Sequence, residues 1–419
     1  MNTEFSSFAA RLREIIANRP PANGDRQFSK LAVELFTLQF QNNPAYRRIC
    51  EARGRTPQTI DDWTQIPFVP TGAFKELELT CLPPLERTAV FHSSGTTDQK
   101  PSRHFHGAES LALYEASLWE WFAVNVLPPT DGPASSSGGD RGAAARTLLF
   151  LTPRPAQAPH SSLVHMFETV RRRLSPAAAA GDGFKPLGVV GGYGSKGTIE
   201  DGGGADFLGK IGHDGTWTLD FEATMKALFG GHAAPAAKPF LLLGTAFSFV
   251  HLADYLAANN LSFQLPAGSR VMETGGYKNR SRALPKAELH ALIAERLGVA
   301  PENIVCEYGM SELSSQAYDA AGHPAAGHPP RSILPPRVLR FPPWARVQIR
   351  SPETGREAAE GEAGLIRVFD LANVYSVAAI QTEDVGIRRG DGFELIGRAP
   401  LAEPRGCSLN SAEALVDAR

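Results

Sequence analysis

The chain has 419 residues, 42% of them hydrophobic, and a formal net charge of −2. A chain of this length can bury a large core, as several domains or as one large domain with an appendage. Basic residues are scattered apart from Arg171–Arg173, a run that more often caps a helix dipole than binds a polyanion, so nucleic acid is not an expected partner. No apolar run approaches the roughly 18 residues of a membrane span and no signal peptide is recognisable, so we expect a cytoplasmic protein without a membrane span.

The cysteines and one histidine pair argue against disulfide or metal frameworks. Cys50, Cys81, Cys306 and Cys407 are widely spaced and form no CxxC pair, so we expect reduced thiols. The His104-x-His106 pair has no nearby cysteine or carboxylate cluster, so a zinc site is not expected.

The first 85 residues show helical spacing of apolar residues. Phe28, Leu31, Leu35 and Leu38 recur at this spacing, and Asn42-Asn43-Pro44 ends the pattern. We therefore predict a helical N-terminal segment over residues 1–85, packed as a cap on the main domain.

Short apolar strands alternate with helix-like stretches from Thr147 onward. The predicted strands are Thr147–Leu151, Leu187–Val190, Phe240–Leu243, Arg270–Glu273 and Ile304–Glu307. The predicted helices are Ser162–Leu174, Phe221–Phe229, Phe247–Ala258 and Lys286–Leu297. This alternation implies right-handed crossovers and a largely parallel sheet covered by helices, that is, an α/β core over residues 86–343.

The pattern changes after Pro342-Pro343. Val347–Arg350, Gly364–Phe369 and Phe393–Gly397 are strand-like, are joined by Gly-rich turns and have no helical pattern between them. We predict a small antiparallel β subdomain over residues 344–398, followed by a C-terminal tail over residues 399–419 that carries Cys407.

A loop rich in hydroxyl groups follows the apolar pair Val90-Phe91. Its residues Ser93, Ser94, Gly95, Thr96 and Thr97 can turn several backbone N–H groups and four hydroxyls toward one anion, while the glycine relieves backbone strain. This composition favours a phosphate-binding loop. The alternative is a surface Ser/Thr turn.

Two glycine patterns are interpreted as chance matches. Gly192–Gly197 follows a predicted strand and fits the dinucleotide-binding pattern GxGxxG. However, Gly202-Gly203-Gly204 prevents a helix from starting soon after it, and the N-terminus of such a helix would have to bind the pyrophosphate. This disfavours an NAD-linked oxidoreductase. Gly204–Lys210 fits a Walker A loop until Ile211 stands where Ser or Thr must bind Mg²⁺.

Three downstream segments give the hydroxyl loop its context: Tyr308-Gly309-Met310-Ser311-Glu312, Thr382-Glu383-Asp384 and Gly397-Arg398. In order and rough spacing, the four segments resemble the core motifs of the adenylate-forming (ANL) superfamily. The chain resembles the acyl-protein synthetase (LuxE-type) family, the luciferin-component ligases of bacterial luminescence, more closely still. Glu273–Lys278 and Arg405–Leu409 are similar to segments of that family. The resemblance extends from about Ile66 to Leu409, and it implies an adenylate-forming large domain, mostly parallel sheets flanked by helices, without the C-terminal lid domain.

The resemblance implies ATP and Mg²⁺ as cofactors. Its phosphate-binding residues are Ser93, Ser94, Gly95, Thr96 and Thr97. Asp98 replaces the family's glycine and Lys100 precedes Pro101, so Lys100 and Arg103 both remain candidates for the phosphate-binding cation.

The remaining nucleotide contacts follow from the downstream motifs. The resemblance implies that Tyr308 stacks on adenine, with Gly309 and Ser311 in the same segment, and that Glu312 and Thr96 bind Mg²⁺. Asp384 accepts from the ribose hydroxyls and Arg398 contacts the same ribose. Gly275 and Gly276 follow a predicted strand and allow a ligand close to the backbone, while Lys278 reaches a carboxylate or phosphate; a plain strand-to-helix turn is the alternative.

Cys407 stands where the acyl-protein synthetases carry the cysteine that receives the acyl group. Arg405, and the helix-capping pattern of Asn410 with Glu413, both favour its thiolate. The alternative is a small apolar residue that anchors a tail. The catalytic residues implied by the resemblance are Thr96, Lys278, Glu312 and Cys407.

The expected reaction is ATP-dependent activation of a fatty or other small carboxylic acid as an acyl-adenylate. The acyl group then passes to Cys407 as a thioester, which a fatty-acyl reductase partner consumes. One alternative is an acyl- or aryl-CoA ligase of the phenylacetate type. Another is a non-catalytic scaffold that docks a reductase, suggested by Asp98 and Glu383.

Overall fold

The computed structural model of the protein describes residues 3–18, 25–93, 100–127, 146–175, 205–232, 238–277, 281–319 and 337–399. Its α-helices are Thr3–Asn18 (α1), Asp25–Asn42 (α2), Pro44–Ala52 (α3), Ala73–Glu76 (α4), Ala108–Asn125 (α5), Ser162–Leu174 (α6), Phe221–His232 (α7), Ala246–Ala258 (α8) and Lys286–Leu297 (α9). Its strands are Val69–Pro70 (β1), Ala89–His92 (β2), Arg103–His106 (β3), Thr147–Leu151 (β4), Ala205–Phe207 (β5), Gly209–Ile211 (β6), Trp217–Leu219 (β7), Phe240–Thr245 (β8), Arg270–Thr274 (β9), Ile304–Tyr308 (β10), Ala317–Tyr318 (β11), Ala345–Arg350 (β12), Ala363–Asp370 (β13), Ala379–Arg389 (β14) and Gly392–Arg398 (β15). No helix in this part of the chain combines the length and apolarity needed to cross a lipid bilayer.

The described residues fall into two compact units. The first unit collects those of residues 1–120, 310–317 and 333–419, and the second collects those of residues 121–309 and 318–332. Each unit is therefore assembled from separate stretches of the chain. The domain boundaries predicted from sequence, after residues 85, 343 and 398, stay a prediction.

The second unit is built on a six-stranded sheet in the order β11-β10-β9-β8-β4-β5. The pairs from β10 to β5 are all parallel. Every residue of β8, β9 and β10 is buried, as expected for parallel strands covered on both faces. Phe249 and Val250 of α8 pack in one apolar core with Ile293 and Leu297 of α9. The predicted alternation of strands and helices is confirmed here.

Two predicted helices are confirmed with their predicted bounds, Ser162–Leu174 as α6 and Lys286–Leu297 as α9. Helix α9 follows Pro285 and ends at Gly298, whose φ of 63° is left-handed and whose N–H donates to Ala294 O. A glycine in this conformation ends a helix without a Cβ clash. The predicted strand Leu187–Val190 lies outside the described residues.

The first unit carries a sheet in the order β1-β14-β13-β12, with β15 also paired to β14. Strands β12 to β15 pair antiparallel, and β1 adds to β14 in parallel. The three strands predicted after Pro343 are confirmed within β12, β13 and β15. Strand β14, with 11 residues, was missing from the prediction.

The N-terminal helices pack against this sheet and its connections. Phe5 of α1 stacks on Tyr375 with ring centroids 5.2 Å apart. Phe28 of α2 meets Phe369 of β13 edge-on at 5.8 Å. The side-chain amide of Gln39 donates to the Asn373 carbonyl at 2.8 Å. The predicted helices at the N-terminus are thus present within Thr3–Ala52, while the extent of the segment to residue 85 stays a prediction.

Candidate active site

The stem of the hydroxyl loop is an antiparallel hairpin formed by β2 and β3, in which His92 lies opposite Arg103. Beyond that pair, the Ser93 N–H donates to the Ser102 carbonyl at 3.3 Å. The Ser102 N–H donates to Ser93 Oγ at 2.9 Å. Ser93 therefore closes the stem with its side chain. Residues 94–99, which include Ser94, Gly95, Thr96 and Thr97, lie outside the described residues, and their roles stay predictions.

Glu312 lies directly against this stem. It is buried, with 5% of its surface exposed. The Ser102 hydroxyl donates a short hydrogen bond to its carboxylate, and the Ser311 hydroxyl donates another at 3.2 Å. The Asn373 side-chain amide donates to the Glu312 carbonyl at 2.8 Å. The loop stem and Ser311-Glu312, which belong to motifs predicted separately, therefore meet at one carboxylate.

Burial raises the pKa of the Glu312 carboxyl above its ordinary value. The charge of Glu383 on β14 adds to this rise, while the hydroxyls of Ser102 and Ser311 oppose it. The ionised form of Glu312 is therefore disfavoured in this setting, and a cation bound beside it would favour that form.

His104 of β3 holds the residue before Glu312. Its Nδ1–H donates to the Ser311 carbonyl at 2.7 Å, because a carbonyl can only accept. Burial lowers the pKa of His104 to about 4, so the ring is neutral near pH 7. The ring packs against Phe74 and His106.

The residues after Glu312 are held by a buried aspartate at the end of β13. Asp370 accepts from the N–H groups of Ser314 and Ser315, each at 2.8 Å, and from the Ser315 hydroxyl at 2.7 Å. Burial raises the pKa of Asp370 to about 6, although these hydrogen bonds oppose the rise. Glu312 is thus fixed from both sides along the chain.

Asp384 and Arg398, both predicted to contact ribose, lie opposite each other on β14 and β15. Arg398 Nε is 3.9 Å from Asp384 Oδ1, and 80% of the Arg398 side chain is exposed. The Asp384 N–H donates to the Thr382 hydroxyl at 3.1 Å, which shapes the strand at this point. Glu383, which replaces the usual glycine, is exposed.

The two candidate cations of the loop both have carboxylate neighbours. Lys100 Nζ is 3.4 Å from Glu76, and Arg103 Nη1 is 3.7 Å from Glu78. Such exposed pairs are weak and leave either cation able to turn to another anion. The choice between Lys100 and Arg103 stays open.

In the second unit, Gly275 and Tyr308 stand at the carboxyl ends of neighbouring parallel strands, β9 and β10. Ligands of open parallel sheets bind outside this edge. Gly275 has a left-handed φ of 71°, and a Cβ added at Gly275 or Gly276 would meet nothing within 4 Å. The space beside these two glycines is therefore open, and the binding of a ligand at this turn stays a prediction. Lys278 lies outside the described residues.

A buried carboxylate with two basic partners, which we call the Glu273 clamp, supports the Gly275 turn. Lys286 Nζ, at the start of α9, is 2.8 and 2.6 Å from the two Glu273 oxygens, and His290 Nε2 is 3.1 Å from Oε1. Lys286 also donates to the Gly275 carbonyl at 3.2 Å. Burial opposes ionisation of Glu273, but Lys286 and His290 outweigh it and hold its pKa at about 2.

Glu307 of β10 lies beside this clamp and behaves in the opposite way. It accepts a hydrogen bond from the Thr274 hydroxyl. Burial, with the charge of Glu273 nearby, raises the pKa of Glu307 to about 7. The two neighbouring strands thus carry one carboxylate held ionised and one that keeps its proton up to about neutral pH.

Cys407, the predicted acyl acceptor, lies outside the described residues. Burial raises the pKa of each described cysteine: Cys50 to about 12, and Cys81 and Cys306 upward as well. A thiol with a raised pKa is a poor nucleophile, because only the thiolate attacks.

Sequence reasoning missed the supporting residues: Ser102, His104, Asp370, Asn373, Lys286 and His290. Ser102 stood inside a quoted motif, yet its partner is 210 positions away. The contact between Asn373 and the Glu312 carbonyl did leave a signal in the sequence. Asp370 and Asn373 stand at the end of an apolar strand, and a polar pair at a buried strand end needs hydrogen-bond partners.

Comparison with known proteins identifies relatives by sequence. Residues 211–416 match the family model described as acyl-protein synthetase, LuxE. A long-chain-fatty-acid–luciferin-component ligase from Aliivibrio fischeri is 25% identical over 208 residues, 47% of this chain and 51% of that protein. A ligase of the same name from Vibrio harveyi is 22% identical over 395 residues, 92% of this chain and 87% of that protein. The first alignment thus spans about half the length of the A. fischeri enzyme.

Among solved structures, the chain resembles 2-hydroxyisobutyryl-CoA ligase, crystallised in the postadenylation state in complex with 2-HIB-AMP. The TM-score is 0.57 at 13% identity, over 90% of this chain and 72% of that chain. A likeness at this identity concerns the fold alone. It confirms the predicted α/β fold, and the sequence matches show that residues 211–416, just under half of the chain, are similar to the acyl-protein synthetase, LuxE, family.

Proposed function

We propose that the protein is a ligase that activates a carboxylic acid with ATP and transfers the acyl group to its own Cys407. The observation that carries the proposal is the contact of the hydroxyl-loop stem with Glu312 through Ser102. It joins the segment predicted to bind phosphate to the carboxylate predicted to bind metal. The relatives' names support a long-chain fatty acid as the substrate class.

The oxygens around Glu312 fit the hard cation that accompanies ATP. A carboxylate with two serine hydroxyls beside it offers only oxygen ligands, and nucleotide-bound Mg²⁺ needs one or two carboxylates besides the phosphates. No group of three or more metal-binding side chains is found in the described part of the chain. Glu312 and Thr96 would hold Mg²⁺, which when bound offsets the negative charge of the phosphates.

In the first step, a carboxylate oxygen of the acid attacks the α-phosphorus of ATP and pyrophosphate leaves. The hydroxyl loop and either Lys100 or Arg103 would stabilise the departing charge. Asp384 would accept from the ribose hydroxyls beside Arg398, and Tyr308 would stack on adenine.

In the second step, the Cys407 thiolate attacks the acyl carbonyl, a thioester forms and AMP leaves. Two observations support Cys407 as the acceptor: it lies within the range matched by the family model, and the described cysteines have raised pKa values. The thioester carries an activated carbonyl, which we propose a partner reductase consumes.

The test is intact mass spectrometry after incubation with ATP, Mg²⁺ and a panel of fatty acids. We expect a mass gain of one acyl group, removable by hydroxylamine, in the wild type and in the control Cys81→Ser. Cys407→Ser should lose the adduct and keep acid-dependent ATP–pyrophosphate exchange.

The same experiment separates two other functions. The solved ligase of similar fold is a CoA ligase, so acyl-CoA formation is measured in parallel. If Cys407→Ser makes acyl-CoA as fast as the wild type, the acceptor assignment is wrong. If no acid supports exchange, the protein is a scaffold and not a ligase.

A further inference from the structure

Three arginines of the first unit lie together on its antiparallel sheet; we call Arg53, Arg350 and Arg367 the arginine cluster. Arg367 of β13 lies opposite Gln348 of β12. Arg350 is two residues further along β12, and since directly opposed and alternate residues share a sheet face, it lies diagonally next to Arg367.

Phe68 brings Arg53 to the same place. Arg53 Nη1 donates to the Phe68 carbonyl at 2.8 Å. The Arg367 guanidinium lies over the Phe68 ring, 5.3 Å from its centroid, and donates to Gln381 Oε1 at 2.8 and 2.6 Å. Two of the three guanidinium groups are therefore fixed in orientation before any ligand arrives.

No carboxylate in the described part of the chain pairs with the cluster. Within the described residues none of its members forms an ion pair, whereas other arginines of the same sheet do: Arg346 with Asp25 at 3.2 Å, Arg388 with Glu357 at 2.9 Å and Arg389 with Glu394 at 3.1 Å.

The missing counter-charge is costly for the protein. Burial and the charges of Arg350 and Arg53 lower the pKa of Arg367 to about 10. The buried Nε of Arg350 has no hydrogen-bond partner among the described residues. Unmatched buried donors and like charges are both unfavourable, and both are relieved by an anion.

We propose that the arginine cluster binds a phosphate-class oxyanion, orthophosphate or diphosphate, at a site separate from the contacts proposed for ATP. Guanidinium groups bind phosphate oxygens through two parallel hydrogen bonds. Three positive charges match a di- or trivalent anion, whereas a single carboxylate would leave two of them uncompensated. This site is independent of the ligase activity.

Calorimetric titration of the full chain with inorganic pyrophosphate, in parallel with orthophosphate, tests the proposal. We expect Arg350→Gln and Arg53→Gln to lose one anion-binding event that the wild type shows, and to keep acid-dependent ATP–pyrophosphate exchange. Orthophosphate binding at this event alone would identify the smaller anion as the ligand. Arg154→Gln, an exposed arginine of the second unit, should titrate as the wild type does.

Thermal unfolding gives a second readout that does not depend on the number of sites. Pyrophosphate should raise the melting temperature of the wild type more than that of either variant, because only the wild type gains binding energy at the cluster. Without multivalent anions, Arg350→Gln should melt no lower than the wild type, since it relieves repulsion, whereas Arg53→Gln also loses the hydrogen bond to the Phe68 carbonyl. Equal stabilisation of wild type and variants, or equal stabilisation by chloride at the same ionic strength, overturns the proposal.

Discussion

Glu312 is a single carboxylate on which two motifs converge, and its state of ionisation decides what it can bind. Its burial disfavours the charged form, while Ser102 and Ser311 each supply a hydroxyl to it. A carboxylate in this setting binds a cation well only after it loses its proton. We therefore expect substitution of Glu312 to slow the proposed adenylation step strongly.

Glu312→Gln keeps the shape of the side chain and removes its charge. We expect acid-dependent ATP–pyrophosphate exchange to fall by about 100-fold or more, because the charge proposed to bind Mg²⁺ is lost. In the wild type the exchange rate should rise with pH as Glu312 loses its proton, with a midpoint above the ordinary glutamate value. Glu302→Gln, an exposed glutamate of the second unit, is the control and should leave exchange unchanged. A fully active Glu312→Gln would rule out this role.

The raised pKa of Glu307 predicts how the stability of the protein changes with pH. Its folded pKa of about 7 lies above the ordinary value of 4.5, so between these values the folded state binds more protons than the unfolded chain. The contribution of this group to stability therefore falls as pH rises through that window. Glu307→Gln still accepts from Thr274 and cannot ionise. From about pH 5 to about pH 8 we expect its free energy of unfolding to rise relative to wild type by on the order of 2 kcal/mol.

Urea unfolding at several pH values measures this difference. Glu302→Gln controls for the loss of one surface carboxylate. A constant difference between Glu307→Gln and wild type across the window would show that Glu307 ionises normally in the folded protein.

At the scale of elements, the Glu273 clamp ties the end of β9 to the start of α9. Lys286 reaches from the first turn of α9 to both Glu273 oxygens and to the Gly275 carbonyl. One side chain therefore fixes a strand, a helix and the turn between them. The clamp explains how a glycine turn with open space around it can keep a defined conformation.

Lys286→Met should break the clamp and leave Glu273 buried with His290 alone. We expect a loss of about 3 kcal/mol in the free energy of unfolding, the lower end of the usual range, because a third of the Lys286 side chain is in solvent. The double variant Lys286→Met, Glu273→Gln should recover most of the loss, since no uncompensated charge remains. Lys226→Met, at an exposed site in α7, controls for the substitution itself. If the double variant is as unstable as the single one, charge compensation is not the reason for the loss.

Elements in which apolar residues recur at a regular spacing were predictable from sequence, and elements without such a spacing were not. Helix α9 has apolar residues on one face and a glycine stop, and its predicted bounds are confirmed. Helix α5 does not separate its polar and apolar residues onto two faces, so it shows no amphipathic pattern to read. Strand β14 carries Gln381, Thr382, Glu383 and Asp384, a polar run that hides the alternation of a strand.

The same distinction holds for the candidate site. Motif residues such as Glu312 and Asp384 could be named from sequence, because the resemblance supplied their order. Their supports could not: Ser102 and Asn373 act through contacts made across 210 and 61 positions. Long-range pairing of this kind leaves no local pattern, so only the folded structure brings it out.

At the scale of the whole molecule, one buried cysteine in each compact unit can be used to follow the unfolding of that unit. Cys50 lies in the first unit and is fully buried, and Cys306 lies in the second with 6% exposed. Burial raises the pKa of both thiols, so little thiolate is present and reagents cannot reach it. Their modification therefore requires each unit to open.

Alkylation with iodoacetamide, followed by peptide mapping, tests this at neutral pH. We expect Cys50 and Cys306 to react at least about 100-fold more slowly in the native protein than in urea, because the fraction of open molecules limits the rate. Each thiol should become reactive over the urea range in which its own unit unfolds. Rapid native labelling of Cys306 would show that the middle of β10 is accessible, and would make Cys306 a competing acceptor for the acyl group. Protection of both thiols, with the acyl adduct still formed, would leave Cys81 and Cys407 as candidate acceptors, which the variants Cys81→Ser and Cys407→Ser distinguish.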